Sequence, residues 1–203
     1  MKIELYYRML IHDKNGKLVK RTHWKTSRSF VLQFLQHIDV LINHAQGVVG
    51  VAVSTKDMGG TSRTLQALTP GPWYTLNYLA VFSADNDATY GVLVGTGSTA
   101  VTNADYVLAT LINHGVGAGR LDYGAHSRTA AQVVSSNVDF VINRTFYNGS
   151  GNAITVNEIG IACATVDSGG NIRYFLITRD VTTPITVDNA KTLTVQYTMR
   201  TTA

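Results

Sequence analysis

From residue 133 to residue 199 the chain runs in short apolar/polar alternations, each ended by glycine, asparagine or aspartate, and this period-2 pattern restricts it to a strand-built fold. Val138, Phe140, Ile142, Arg144 and Phe146 fall on one side of the first run, Val133–Tyr147. Asn148-Gly149-Ser150-Gly151-Asn152 turns it into Ile154–Ala164, and Asp167-Ser168-Gly169-Gly170-Asn171 turns that into Ile172–Asp180. Ile185–Val187 follows Pro184. The last run, Thr192–Thr198, sets Leu193, Val195 and Tyr197 on one face, with Met199 in phase, and threonines and Gln196 on the other. Tyr90–Gly95 reads as a further strand. Short strands at this spacing predict a mainly β chain, an antiparallel β-sandwich or jelly-roll-like domain.

The N-terminal part adds two elements. Ile3, Leu5, Tyr7, Met9 and Ile11 alternate, Asp13-Lys14-Asn15-Gly16 supplies a tight turn, and Leu18–Trp24 returns, so residues 2–25 predict a β-hairpin. Beyond it, Val31, Phe34, Leu35, Ile38, Leu41, Ile42 and Ala45 keep helical spacing, with Ser27 or Ser29 as the expected cap. Residues 46–89 are less regular: Val48–Ser54 and Trp73–Phe82 read as strands, and Lys56–Thr64 as a polar loop.

Charge is thin. Apolar residues make up 45% and charged residues 15%, against about 25% charged in ordinary soluble domains. A subunit that buries much of its surface against partners tolerates such a surface. The net charge of +4 is concentrated in residues 1–45, which hold eight Lys/Arg and three acids. Lys14, Lys17, Lys20 and Arg21 are therefore candidates for contact with an acidic partner or nucleic acid, against the commoner outcome of a solvated face. The single cysteine, Cys163, excludes an intrachain disulfide framework. No run near the start has the character of a signal peptide, and no apolar stretch is long enough for a membrane helix, so synthesis in the cytoplasm is expected.

Four segments in order resemble a pattern of tailed-phage and related virion structural proteins. Gly95-Thr96-Gly97-Ser98-Thr99-Ala100-Val101-Thr102 followed by Asp105-Tyr106-Val107-Leu108 is similar to its opening Gly/Thr loop and "DxxL". Glu158-Ile159-Gly160-Ile161 resembles its "EVGL" strand, with isoleucine for both valine and leucine. Leu176-Ile177-Thr178-Arg179-Asp180 resembles its "LxARD" strand, with threonine in place of alanine, and Leu193–Thr198 its closing "LTVxYT". The resemblance spans roughly residues 90–200. It implies a β-sandwich used in particle architecture, with no catalytic residues and no cofactor, located in the virion and partnered by copies of itself or by other virion proteins.

On this reading the chain divides into a basic hairpin plus helix (1–45) for attachment or assembly, connecting strands and loops (46–89), and a virion-type β-sandwich (90–203). Phe34, Leu35, Ile38, Leu41 and Ile42 are the expected packing stripe of the helix. Glu158, in an otherwise apolar strand, needs a partner if buried, and Arg144 or Arg179 is the candidate for an ion pair. The alternative function is a receptor- or carbohydrate-binding module on a tail tip or capsid surface. Its candidate platform is Trp73, Tyr74, Tyr78 and Tyr123.

Other chemistry lacks its pattern. The histidines form no close Cys/His cluster or HExxH, so a metal site is not expected. The glycines at 95–97 and 115–119 lack both the dinucleotide-binding and the phosphate-loop spacing. Cys163 sits mid-strand between small apolar residues, the setting of a packed thiol, and no GxSxG elbow occurs.

Overall fold

The computed structural model describes residues 2–27, 29–42, 52–65 and 79–202. These form eleven strands and one helix: β1 (Lys2–His12), β2 (Leu18–Arg21), β3 (Lys25–Ser27), α1 (Leu32–Ile42), β4 (Val53–Lys56), β5 (Ser62–Leu65), β6 (Gly91–Gly95), β7 (Asp122–Val134), β8 (Asn137–Tyr147), β9 (Ile154–Val166), β10 (Ile172–Val187) and β11 (Thr192–Thr202). The chain is mainly β, antiparallel throughout its ladders, and sandwich-like. One sheet has the order β2-β1-β11-β8-β7 with β3 also on β1, a second has the order β10-β9-β6, and β4-β5 is a separate hairpin. This order does not establish a jelly-roll winding.

Alternation explains the large sheet. Leu5, Tyr7, Met9 and Ile11 of β1, Leu193, Val195 and Tyr197 of β11, and Ile142 and Phe146 of β8 are buried in one core with residues of the small sheet. The small sheet is buried on both faces, which is why β9 reads as the nearly unbroken run Ile159-Gly160-Ile161-Ala162-Cys163. Gly160 faces the segment that joins β6 to β7, where Leu108 packs against it. On the other face Asp180, opposite Ile159, reaches Tyr197 of β11.

Several expectations change. β1 pairs with β11 along eleven residues, from Lys2↔Thr202 to His12↔Thr192, so the first strand of the N-terminal hairpin is an inner strand of the large sheet, with the exposed β2 at its edge. Neither Ser27 nor Ser29 caps α1. Ser27 lies in β3, the Ser29 carbonyl accepts from Arg179 N and Thr178 Oγ1, and the Leu32 N–H bonds the Asn103 carbonyl. Lys56–Thr64 is not a single loop: Lys56 ends β4, Ser62–Thr64 lie in β5, and only Asp57–Thr61 turn between them. β10 continues past Pro184 through an irregularity between Val181 and Ile185, which absorbs the missing N–H. Val48–Gly50 and Trp73–Tyr78 lie outside the described residues.

The helix stripe is also rotated. Val31, Gln33, His37 and Val40 are buried and Phe34 packs on the core, whereas Leu35 and Leu41 are exposed and Ile38 is half-buried. The side chain of Ile42 lies outside what is described. Two polar residues occupy the inward face because each finds a partner there: Gln33 Nε2 donates to the Lys56 carbonyl, and His37 Nδ1 bonds the Gln33 carbonyl at 2.7 Å.

Asp180 is buried between the sheets with the Tyr197 hydroxyl 3.4 Å away. Burial pushes its carboxyl above the usual range, partly offset by hydrogen bonds from Ser27, Ser29 and Tyr197. A carboxyl raised in the folded state costs nothing below its unfolded pKa and destabilises as pH rises through its folded one. Asp180→Asn is therefore expected to raise the urea midpoint at pH 7 and to leave it nearly unchanged at about pH 3, where both side chains are neutral. An advantage that does not grow with pH would show that Asp180 carries no such cost.

Candidate functional site: a buried carboxylate–arginine clasp

Three of the four motif segments meet in one place, and Leu193–Thr198 lies apart from them in β11. Glu158 is fully buried in β9, and Arg179 of β10 donates to it from Nε at 2.7 Å. The same guanidinium reaches Asp105 from Nη1 at 2.7 Å and the Thr99 carbonyl from Nη2 at 2.9 Å. The Glu158 carboxylate also accepts backbone N–H groups of Gly97 (3.1 Å), Ala109 (3.1 Å) and Thr110 (2.7 Å). A segment with little regular structure, 96–110, is thus held on the sheet by one carboxylate and one guanidinium.

Gly95 and Gly97 make this closeness possible. A Cβ on Gly95 would lie 2.5 Å from both Glu158 Oε1 and the Thr110 carbonyl, and one on Gly97 would lie 2.4 Å from Glu158 Oε1. These glycines serve close backbone approach. Asp105 is raised by burial, but hydrogen bonds from Arg179 and Thr102 outweigh this and hold its carboxyl below the usual range. Burial lowers the Arg179 guanidinium, and its bonds to Glu158 and Asp105 more than reverse that. One guanidinium thus answers two carboxylates, and backbone N–H groups complete the hydrogen bonding of Glu158.

Arg144, the other candidate partner of Glu158, is elsewhere. It is fully buried in β8 and donates to five carbonyls: Gly124 from Nε, Tyr90 and Val92 from Nη1, Ala84 and Asp87 from Nη2, at 2.6–3.2 Å. Its guanidinium carbon sits 4.8 Å from the Tyr123 ring centroid. Burial lowers its pKa, offset in part by Tyr123 and by Asp87. Beside it, His126 Nε2 accepts the Val92 N–H at 2.9 Å, and its imidazole is pushed down to about 4 by burial and by Arg144. The ring is neutral at physiological pH. Arg144 and His126 together pin residues 83–92, the end of the connecting segment and the start of the strand read over Tyr90–Gly95.

The one cysteine–histidine contact has the wrong electrostatics for nucleophilic catalysis. Cys163 Sγ lies 3.7 Å from His37 Nε2, but both are buried. Burial pushes the thiol up to about 12 and the imidazole down, the reverse of a thiolate–imidazolium pair.

The remaining candidates divide by exposure. Lys14, Lys17, Lys20 and Arg21 project into solvent from the first hairpin. Tyr123 is fully buried, its hydroxyl donating to the Ile112 carbonyl at 2.6 Å, and it offers no ring to a ligand. Trp73, Tyr74 and Tyr78 lie outside the described residues. Among the described residues no group of three or more His, Cys, Asp or Glu is placed to hold a metal ion. No described helix is long and apolar enough to cross a membrane.

Sequence reasoning missed β7. With β8 it forms a hairpin at one edge of the large sheet, and residues 127–136 are exposed without interruption, including both faces of the strand. Val133 is 77% exposed, and Val134 and Val138 are also open to solvent.

No protein-family model, curated protein or solved structure matches the chain.

Proposed function

We propose that this chain is a non-enzymatic structural subunit of a virus or phage particle, assembling with copies of itself or with neighbouring particle proteins. The observation that carries this reading is the exposed β7 edge. Residues 127–134 of β7 lie against β8, which β11 holds on its other side as far as Asn137, and both faces of this edge strand are open. A strand that buries neither face gains little from packing within the subunit. Among the described residues this strand has no neighbour on its outer side, and it lacks lysine and proline, with Arg128 and two register irregularities as its guards against pairing with another chain. A partner that lays a strand or an apolar patch against this edge covers it.

The clasp supports the same reading. Three of the segments that resemble virion proteins converge on Glu158 and Arg179, where their hydrogen bonds hold segment 96–110 to the sheet. A rigid body with an exposed edge strand suits a subunit of an assembly. The test is light scattering over a concentration series with electron microscopy of the species formed. Defined oligomers, rings, tubes or shells are expected, and Val133→Asp is expected to dissolve them while preserving the folded monomer. A strict monomer at every concentration would overturn self-assembly.

A further inference from the structure

The outward face of the large sheet carries a second feature, distinct from the β7 edge. Cross-strand register sets Arg8 opposite Gln196, Tyr6 opposite Thr198, and Arg200 opposite Asp139. With Trp24 at the rim, these side chains line a groove of about 390 Å³, within the range of roughly 300–1,000 Å³ of small-molecule sites. Trp24 is 45% exposed, on a sheet face where polar side chains are the norm.

The two arginines differ. Arg200 is neutralised by a two-point contact with Asp139, Nε to Oδ1 at 2.7 Å and Nη2 to Oδ2 at 2.6 Å, and it lies over the Tyr6 ring. The Tyr6 hydroxyl in turn donates to Glu4. Arg8 has no carboxylate partner among the described residues. Its Nε donates to Gln196 Oε1, its guanidinium carbon sits 4.4 Å from the Trp24 ring centroid, and its terminal nitrogens have no hydrogen-bond partner among the described residues. The fork is held in place by an amide and an indole, with its outer edge open.

We infer that this groove binds a saccharide bearing a carboxylate, the acid group meeting the open edge of Arg8 and the sugar ring lying against Trp24. A guanidinium fixed in this way is preorganised for two parallel hydrogen bonds to a carboxylate. The floor between the aromatic rings is mixed, with Val141 beside the polar edges of Gln196, Thr198 and Asp139, as the C–H faces and hydroxyls of a sugar require. An apolar peptide anchor would instead need a dry floor. The Trp24 rim supplies an apolar face with a polar edge, as a sugar ring requires.

The test uses the full chain and follows tryptophan fluorescence and calorimetry. The probes are a glucuronate-containing tetrasaccharide and sialyllactose, their carboxyl-reduced counterparts, and tetraglutamate. Saturable binding of at least one acidic saccharide below about 1 mM is expected, with its reduced counterpart about tenfold weaker. Arg8→Gln is expected to remove that acid preference, and Trp24→Ala to weaken both forms. Both positions lie on the surface, and unchanged melting curves would confirm folding. No saturation by any acidic saccharide at about 10 mM, equal affinity in Arg8→Gln, or tetraglutamate binding as tightly as the saccharides would each overturn the inference.

Discussion

Arg179→Met is expected to lower the unfolding free energy by about 3–5 kcal/mol, because it strands a fully buried carboxylate. For a chain of this size that is a drop in melting temperature of roughly 10 °C, and the urea midpoint should fall accordingly. A buried ion pair can often be exchanged for apolar residues at little cost, so the informative variant is the double one, Arg179→Met with Glu158→Leu. Here the exchange is expected to fail. The Glu158 carboxylate also accepts the N–H groups of Gly97, Ala109 and Thr110, and leucine would leave all three unpaired. A double variant as stable as the wild type would show that the clasp can be replaced by packing alone.

Arg144→Met is expected to cost at least about 3 kcal/mol, since five carbonyls lose a charged donor in a buried setting. Lysine should not rescue it. An ammonium has three donors around a point, and it cannot span carbonyls contributed by the 84–92 segment and by Gly124. The two arginines should also be separable by position. Hydrogen exchange should show residues 83–92 losing protection in the Arg144 variant and residues 96–110 losing it in the Arg179 variant. Loss of protection at both places in either variant would mean that the two networks are coupled.

The strands with one buried face were legible, because a single core imposes strict alternation on β1, β8 and β11. β7 was not, and its residues explain why. Ala125-His126-Ser127-Arg128-Thr129-Ala130-Ala131-Gln132 touches the core hardly at all, so nothing selects one face as apolar and no period appears. The helix was legible as an element but not in its orientation. Leu32, Leu35 and Leu41 look like core residues by type, yet the inward face includes Gln33 and His37, whose partners lie on β4 and on the helix itself.

The clasp was half legible. An acid in an apolar strand announces a need for a partner, and Arg179 is that partner. Arg144 was an equal candidate because a sequence does not reveal that two strands two turns apart carry their arginines to opposite sides of the small sheet. Asp105 and the three amides were invisible as a unit: they come from a segment with no periodicity, and only the closed fold brings them to Glu158. The groove of Trp24 and Arg8 was missed for a related reason. Its parts come from β1, β8, β11 and the turn before β3, and only their register makes them neighbours.

The pairing of β1 with β11 also governs when this protein can become itself. The first strand made must wait for the last one before its ladder can close, a separation of about 180 residues, or roughly 10–40 s of synthesis at ~5–20 residues per second. During that interval Leu5, Tyr7, Met9 and Ile11 have only their local hairpin to shelter them. Closure at such long range is slow, and it exposes apolar strands to neighbouring nascent chains. Growth rate, temperature and chaperone supply should therefore set the yield of this protein more strongly than its final stability does.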